Sequence, residues 1–296
     1  MSARPTLEEL NQMPRDAFLA QLGDVFEHAP WVTGSVVDQR PFSSVAAMHA
    51  AMLASVRALP EEKLVALLAG HPALAGAAAR AGTMTADSTR EQGALALEKL
   101  PEEQMAHWDA LNSAYQAKFG FPFIICVRRH TLASVLRSFA RRLAADRASE
   151  LMAAVEEIGR VSRLRLAARI ENHGMDDIVG RLTTHVLDAA RGKPAPAVRV
   201  ELFEKSNAGM HPIAQGVTNG DGRTAEPLLD GMPLRIGTYE LRFHVGDYFR
   251  AIGAGDAEMP FLDVVPIAFG IGEPESHYHV PLSITPWAYS TYRGSY

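Results

Sequence analysis

The balance of alanine against glycine and proline reverses partway along this chain, and that reversal limits the folds open to it more than any single motif does. Residues 1–170 hold 34 Ala, 8 Gly and 8 Pro, whereas residues 171–296 hold 12 Ala, 15 Gly and 10 Pro. Alanine has the best helix propensity, while closely spaced Gly and Pro cut a chain into short extended segments. Charge divides at the same place. The first part carries 19 basic and 18 acidic residues, net +1, and the second 10 and 16, net −6. A chain of 296 residues is long enough to bury two ordinary cores. The sequence therefore predicts a multidomain protein: an all-α domain over residues 1–170, a polar linker (ENHGMDD) over 171–177, and an all-β domain over 178–296.

Local patterns agree. Thr6 with Glu9 has the spacing of a capping box, followed by Leu7, Leu10, Phe18, Leu19 and Leu22. Ser44 opens an apolar-periodic run through Met48, Met52 and Val56 that Leu59-Pro60 ends. Pro60 and Pro101 each precede two glutamates, a favourable first turn for the helix dipole. Further helices are expected at about 131–144 and 148–170, their charges read as solvated faces. From Ile178 the period becomes two, as in Val198, Val200, Leu202 and again in Tyr239, Leu241, Phe243, Val245. Phe261–Phe269 and His277–Thr285 are expected strands, with Pro266 and Pro281 marking edges or bulges of a small antiparallel sandwich.

Composition excludes several function classes. A net charge of −5 and a pI near 6.1 leave no basic footprint for nucleic acid. The single Cys126 rules out an intrachain disulfide and four-cysteine zinc patterns. No apolar run approaches a bilayer's thickness, and the first residues, with Glu8 and Glu9 early, lack the apolar core of a signal peptide. The expectation is a soluble, cytoplasmic protein with neither nucleic acid nor membrane as partner.

In the first half three segments stand out: GHPALAG at 70–76, TADSTREQ at 85–92, and the run ending FGFPFIICV at 119–127. A helix capped near Thr85 or Asp87 would set Ser88, Glu91 and Gln92 on one face. Their hydroxyl, carboxylate and amide could together hold a small polar ligand. By pattern alone a His before Pro is more often a loop residue, and Ser-x-x-Glu more often a capping box. Cys126, inside an apolar run, reads as buried packing. The strings themselves, with RLRL at 163–166, resemble the all-helical 2-oxo-4-hydroxy-4-carboxy-5-ureidoimidazoline decarboxylases in motif order over about residues 6–168. That resemblance implies a catalytic pair at His71 and Glu91. It also implies substrate contacts at Pro72, Ser88, Gln92, the backbone of Phe123, Ile124, Ile125, Cys126 and Val127, and Arg165 of the Arg163/Arg165 pair.

In the second half, His277 and His279 would share one face of a strand while Tyr278 takes the other. With His185 they could be read as a zinc site, though no carboxylate or cysteine recurs beside them, or as satisfied surface histidines. The strings LTTHVLDAARGKPAPAVRVELFE, NGDGRT and HYHVPLSITPWAYSTYRGS resemble the transthyretin-related 5-hydroxyisourate hydrolases over about residues 178–295. That resemblance implies catalytic His185, Arg223 and His279, with Tyr292 and Ser295 lining the pocket, and a homotetramer assembled through this domain. The chain departs from the family in ending one residue beyond YRGS, at Tyr296.

The two resemblances imply consecutive reactions on small molecules. Hydrolysis of 5-hydroxyisourate gives the ureidoimidazoline, and its decarboxylation gives (S)-allantoin. Neither step calls for a metal or an organic cofactor. The competing expectation is a transthyretin-like ligand-binding module with a helical interaction domain.

Overall fold

A computed structural model describes residues 4–93, 95, 102–206, 208–254 and 258–294. The chain forms two compact units, residues 1–128 with 135–176, and residues 129–134 with 177–296.

The first unit is helical. Thr6 and Glu9 form the reciprocal capping box that opens α1 (Leu7–Gln12). α2 (Arg15–Leu22) and α3 (Pro30–Val36) follow. Ser44 caps α4 (Val45–Arg57) by accepting from the Ala47 N–H at 3.0 Å, and Pro60 precedes α5 (Glu61–Ala69). Short α6 (Ala77–Ala81) and α7 (Ala86–Gly93) lead to α8 (Glu102–Phe119), α9 (Leu132–Leu143) and α10 (Arg147–Arg169). Pro101, read as a helix opener, lies outside the described residues. Trp108, Tyr115, Phe119, Phe121, Phe123 and Phe139 are all buried, and Phe123 stacks on Phe139 with centroids 4.0 Å apart.

One expectation fails here. The charges of α9 and α10 are not all solvated: Arg142, Glu150, Glu157 and Arg165 are buried. The reason lies in spacing. Glu150, Glu157 and Arg165 recur at seven and eight residues, so they share a stripe with buried Leu151, Ile158 and Leu166. Each then finds a partner, as a buried charge must. Arg142 donates to Glu150 and, at 2.7 Å, to the Ile124 carbonyl. Glu157 accepts the Cys126 N–H at 2.8 Å. Two buried side chains thus clamp the backbone of the 121–127 segment, and Cys126 is buried packing.

The second unit is a two-sheet sandwich. One sheet orders β2 (Lys193–Pro194), β1 (Gly180–Asp188), β8 (His277–Ile284) and β9 (Tyr289–Thr291), with β5 (Leu229–Met232) also paired to β1. The other orders β4 (Gly209–Val217), β3 (Arg199–Ser206), β6 (Gly237–His244) and β7 (Val264–Ile271). Leu182, Val186, Leu202, Leu241, Phe243, Leu282 and Ile284 fill the space between them. Three details differ from expectation. β1 and β8 pair in parallel, with Thr183 opposite His279, so the sandwich is not wholly antiparallel. Val245 ends no strand; it opens α11 (Val245–Ala251), where its side chain is buried along with Tyr248 and Phe249. Pro266 lies on edge strand β7 as expected, but Pro281 lies in interior strand β8. It is tolerated because the β8–β9 ladder covers only Leu282–Ile284, and pairing resumes at an isolated His279–Gly294 bridge.

Candidate active sites

The helical site is built on α7. Thr85 caps it, accepting the Ser88 N–H at 3.3 Å, so Ser88 stands inside the helix and the Ser88–Glu91 pair is not a capping box. Ser88, Glu91 and Gln92 then share a face and line a cavity of about 60 Å³ with His71, Pro72, Leu74, Phe123, Ile124, Ile125, Val127, Val161 and Arg165. Of the residues expected here only Cys126 is absent from the wall, its N–H being engaged by Glu157. Gln92 turns its carbonyl oxygen to the Ala75 N–H at 3.1 Å, holding the GHPALAG loop against the helix.

His71 lies at 3.1 Å from the Leu67 carbonyl through Nδ1. A carbonyl can only accept, so Nδ1 carries the hydrogen and Nε2 presents its lone pair. Burial pushes the imidazole down to about 4, so the ring is neutral at physiological pH and able to take a proton. Arg165 grips Glu91 at both carboxylate oxygens, 2.9 and 2.8 Å, and also reaches Glu27 at 2.8 Å. A neighbouring cleft of about 530 Å³ shares Glu91 and Arg165 and adds Asp24, Asp87, Arg90, Arg128 and Arg169. Four arginines face three carboxylates there, a wall suited to an anion carrying a carboxylate. Glu27, 3% exposed, is a residue the sequence reasoning missed. Its signal was a lone carboxylate inside the apolar stretch Val25-Phe26-Glu27-His28-Ala29-Pro30-Trp31-Val32.

In the sandwich, alternation along β1 and β8 turns Leu182, Val186, Tyr278 and Leu282 into the core and leaves Thr183, His185, His277 and His279 on the opposite face. His185 bridges to Arg223 across an isolated β-pair. Burial, then the Arg223 charge, lowers His185; the same two causes, then His185 and His277, push His279 down to about 4. The Thr183 hydroxyl lies 2.8 Å from His277 Nε2 and 2.9 Å from His279 Nδ1. A hydroxyl donates only once, so it cannot donate to both rings, and at least one of the two histidines presents an N–H to it. The sequence offers His277 only as a candidate zinc ligand, and Thr183 not at all.

Two glycines bring the flanking loops onto these rings. Gly222 of NGDGRT has φ +73°, and a β-carbon on it would lie 2.4 Å from the Val186 carbonyl and 3.1 Å from the His185 ring. Gly294 of YRGS donates to the His279 carbonyl at 3.0 Å, and a β-carbon there would meet that ring at 2.6 Å. Tyr292 is set apart: 67% exposed, it lines with Arg293, Tyr278 and β7 a separate cleft of about 490 Å³ that none of the three histidines lines. Ser295 lies outside the described residues. Among the described residues no group of three or more His, Cys, Asp or Glu is placed to hold a metal ion, so His185, His277 and His279 do not form the zinc cluster that their spacing allowed.

Each unit thus carries its own acid–base constellation around imidazoles kept neutral by burial, and the class that fold and sites define is a bifunctional enzyme. Comparison with known proteins agrees. The OHCU decarboxylase family model (2-oxo-4-hydroxy-4-carboxy-5-ureidoimidazoline) matches residues 11–167, and the HIUase/Transthyretin family model matches residues 182–294. The chain belongs to the OHCU decarboxylase family through its first half and to the HIUase/transthyretin family through its second. The 5-hydroxyisourate hydrolase of Deinococcus radiodurans is 57% identical over 114 residues, 38% of this chain and 95% of its own length. The 2-oxo-4-hydroxy-4-carboxy-5-ureidoimidazoline decarboxylase of Halalkalicoccus jeotgali is 34% identical over 163 residues, 55% of this chain and 90% of its own. A crystal structure of (S)-allantoin synthase covers 98% of this chain and 100% of its own length, at 33% identity and a TM-score of 0.56.

Proposed function

We propose that this chain hydrolyses 5-hydroxyisourate to 2-oxo-4-hydroxy-4-carboxy-5-ureidoimidazoline in its sandwich and decarboxylates that product to (S)-allantoin in its helical domain. The observation carrying this is the end-to-end similarity to (S)-allantoin synthase, which spans both halves together.

In the first reaction a water attacks a ring carbonyl. His185 and His279, neutral at pH 7, serve as the acid–base pair: one takes the water's proton and the other returns a proton to the leaving ring nitrogen. Arg223 stabilises the developing oxyanion or holds the substrate's urate-like oxygens. In the second reaction the lost CO2 leaves an electron pair that the imidazoline ring delocalises, and this stabilised carbanion must be reprotonated from one face. His71 Nε2 takes the hydroxyl proton and controls its return. Glu91 stands against the departing carboxylate. Arg165 is shared between Glu91 and the buried Glu27 behind it, so the three side chains together stay net negative.

Finer points belong to the same proposal. Residues 171–177 are the linker between the domains. The hydrolase domain assembles as a homotetramer, a reading supported by two open edges, β7 and β9, and by exposed Phe261, Trp287, Tyr289 and Tyr292 nearby. No described helix is long and apolar enough to cross a membrane, and the chain is assigned to the cytoplasm. The test is to generate 5-hydroxyisourate from urate and follow the products by circular dichroism. Faster loss of 5-hydroxyisourate and optically active allantoin are the expected outcome. Ligand binding without turnover would instead favour a transthyretin-like carrier with a helical interaction domain.

A further inference from the structure

Arg165 has five N–H groups, and every one has an acceptor. Nε and one Nη2 hydrogen go to the two oxygens of Glu91, at 2.9 and 2.8 Å, and the other Nη2 hydrogen to Ser88 Oγ at 3.3 Å. Nη1 gives one hydrogen to Glu27 Oε2 at 2.8 Å and the other to the Val25 carbonyl at 3.4 Å. The guanidinium is therefore a clamp with one end on the α7 carboxylate and the other on the Val25–Glu27 segment. Glu27 has a second anchor: its Oε1 accepts from the Thr85 hydroxyl at 2.6 Å. Thr85 is the cap of the same helix that carries Glu91. One carboxylate, its side chain 2% exposed, thus ties both the start of α7 and, through Arg165, its functional turn. Glu27 is not among the residues that line the His71–Glu91 cavity.

On the decarboxylase function proposed above, we infer that Glu27 is a positioning residue of that reaction: it fixes Arg165 so that Arg165 holds Glu91 opposite His71. Without the Glu27 carboxylate, Nη1 loses its charged acceptor in a buried site. The guanidinium then turns toward the adjoining cleft, which it already lines, and draws Glu91 with it. Substrate is still bound by the rest of the wall, but the carboxylate no longer stands where the chemistry needs it.

The experiment uses the full chain, whose hydrolase activity reports folding independently of the helical site. In Glu27→Gln, kcat for decarboxylation should fall by about 10²-fold, the scale of a 1 Å misplacement. KM should stay near the parent value and the hydrolase rate should be unchanged. Thr85→Val, which removes Glu27's other anchor together with the α7 cap but touches no charge, should lower kcat in the same direction by less. A folded Glu27→Gln chain with parent kcat, or with a raised KM alone, overturns the inference. So does a decarboxylase that loses thermal stability but not kcat per folded site, since that is a structural role. Should Glu27→Gln fail to fold, Thr85→Val decides: parent kcat there overturns the inference as well. A parent chain that forms no (S)-allantoin refutes the function itself, and is recognised because parent and variants are then equally inert.

Discussion

Glu91→Gln separates the two activities most cleanly, and the geometry sets its size. Glu91 accepts two of the five Arg165 hydrogens in a site where the two side chains are 13% and 4% exposed. Glutamine keeps one acceptor oxygen and turns an N–H toward a remaining guanidinium N–H. Removing one partner of a buried ion pair costs about 3–5 kcal/mol. Glu27 still neutralises Arg165 here, and one hydrogen bond survives, so about 2–3 kcal/mol is the better figure, near the cost of one unsatisfied buried donor. A domain of this size loses about 2–4 °C in Tm per kcal/mol, so the helical transition should fall by about 4–12 °C. Decarboxylation should fall far more than that implies, by about 10²–10⁴-fold, the scale of removing a positioned catalytic group. The assay starts from urate and urate oxidase, with circular dichroism reporting (S)-allantoin. The ureidoimidazoline should accumulate and decay slowly to racemic allantoin while hydrolysis proceeds at the parent rate. Optically active allantoin at the parent rate, from a chain of matching far-ultraviolet spectrum, would refute the assignment of Glu91.

Other outcomes follow from the same geometry. His279→Ala should let 5-hydroxyisourate linger while supplied ureidoimidazoline still becomes one enantiomer; loss of decarboxylation instead would mean the sites are not separable. Thr183→Val removes the hydroxyl between His277 and His279, so hydrolase kcat should drop by about tenfold, the worth of a hydrogen bond near 1.4 kcal/mol, with decarboxylation untouched; an unchanged kcat rules the bridge out of catalysis. Both histidines His71 and His279 are pushed down to about 4, against about 6.5 in an unfolded chain. Both kcat/KM profiles should therefore hold from pH 8 to about 5 and fall toward 4. The unfolded chain binds more protons in that window, so stability should be lost as pH falls from about 6.5; acid limbs near 6.5 would contradict the burial of these rings. Exhaustive chelation should leave both activities intact, and a loss restored by zinc would overturn the acid–base assignments.

Periodicity carried most of the fold. The capping box at Thr6, the Ser44 cap and the alternation in β3 and β6 are local events, decided within a few residues by hydrogen bonding and burial. What escaped depends on distant partners. Whether Pro281 falls on an edge is fixed by how far the short β9 reaches along β8. The parallel β1–β8 pair joins segments nearly a hundred residues apart. Val245 continues an apolar alternation that would suit a strand, yet the chain turns it into a helix whose Tyr248 hydroxyl reaches the buried Asp188 at 2.9 Å.

The same division explains which site residues could be read. Ser88, Glu91 and Gln92 share a helix face by spacing alone, and His277 and His279 share a sheet face by alternation, so a sequence can assemble each half-set, whereas His185 joins the latter only through the parallel β1–β8 pairing. It cannot weigh charges against one another across the fold. Arg142, Glu157 and Arg165 look like an ordinary solvated pattern until Ile124, Cys126 and Glu91 arrive from elsewhere as partners. Each arrival turns an expensive buried charge into a fixed point, and the fixed points are what hold the cavity walls apart at about 60 Å³. Glu27 shows the consequence most sharply. It sits 138 residues from Arg165 in sequence, and its only sign is being a carboxylate where the surroundings call for an apolar side chain. A buried acid in an apolar run is costly unless something pairs with it, so the anomaly itself announces a partner. Only the fold says that the partner is the guanidinium holding Glu91.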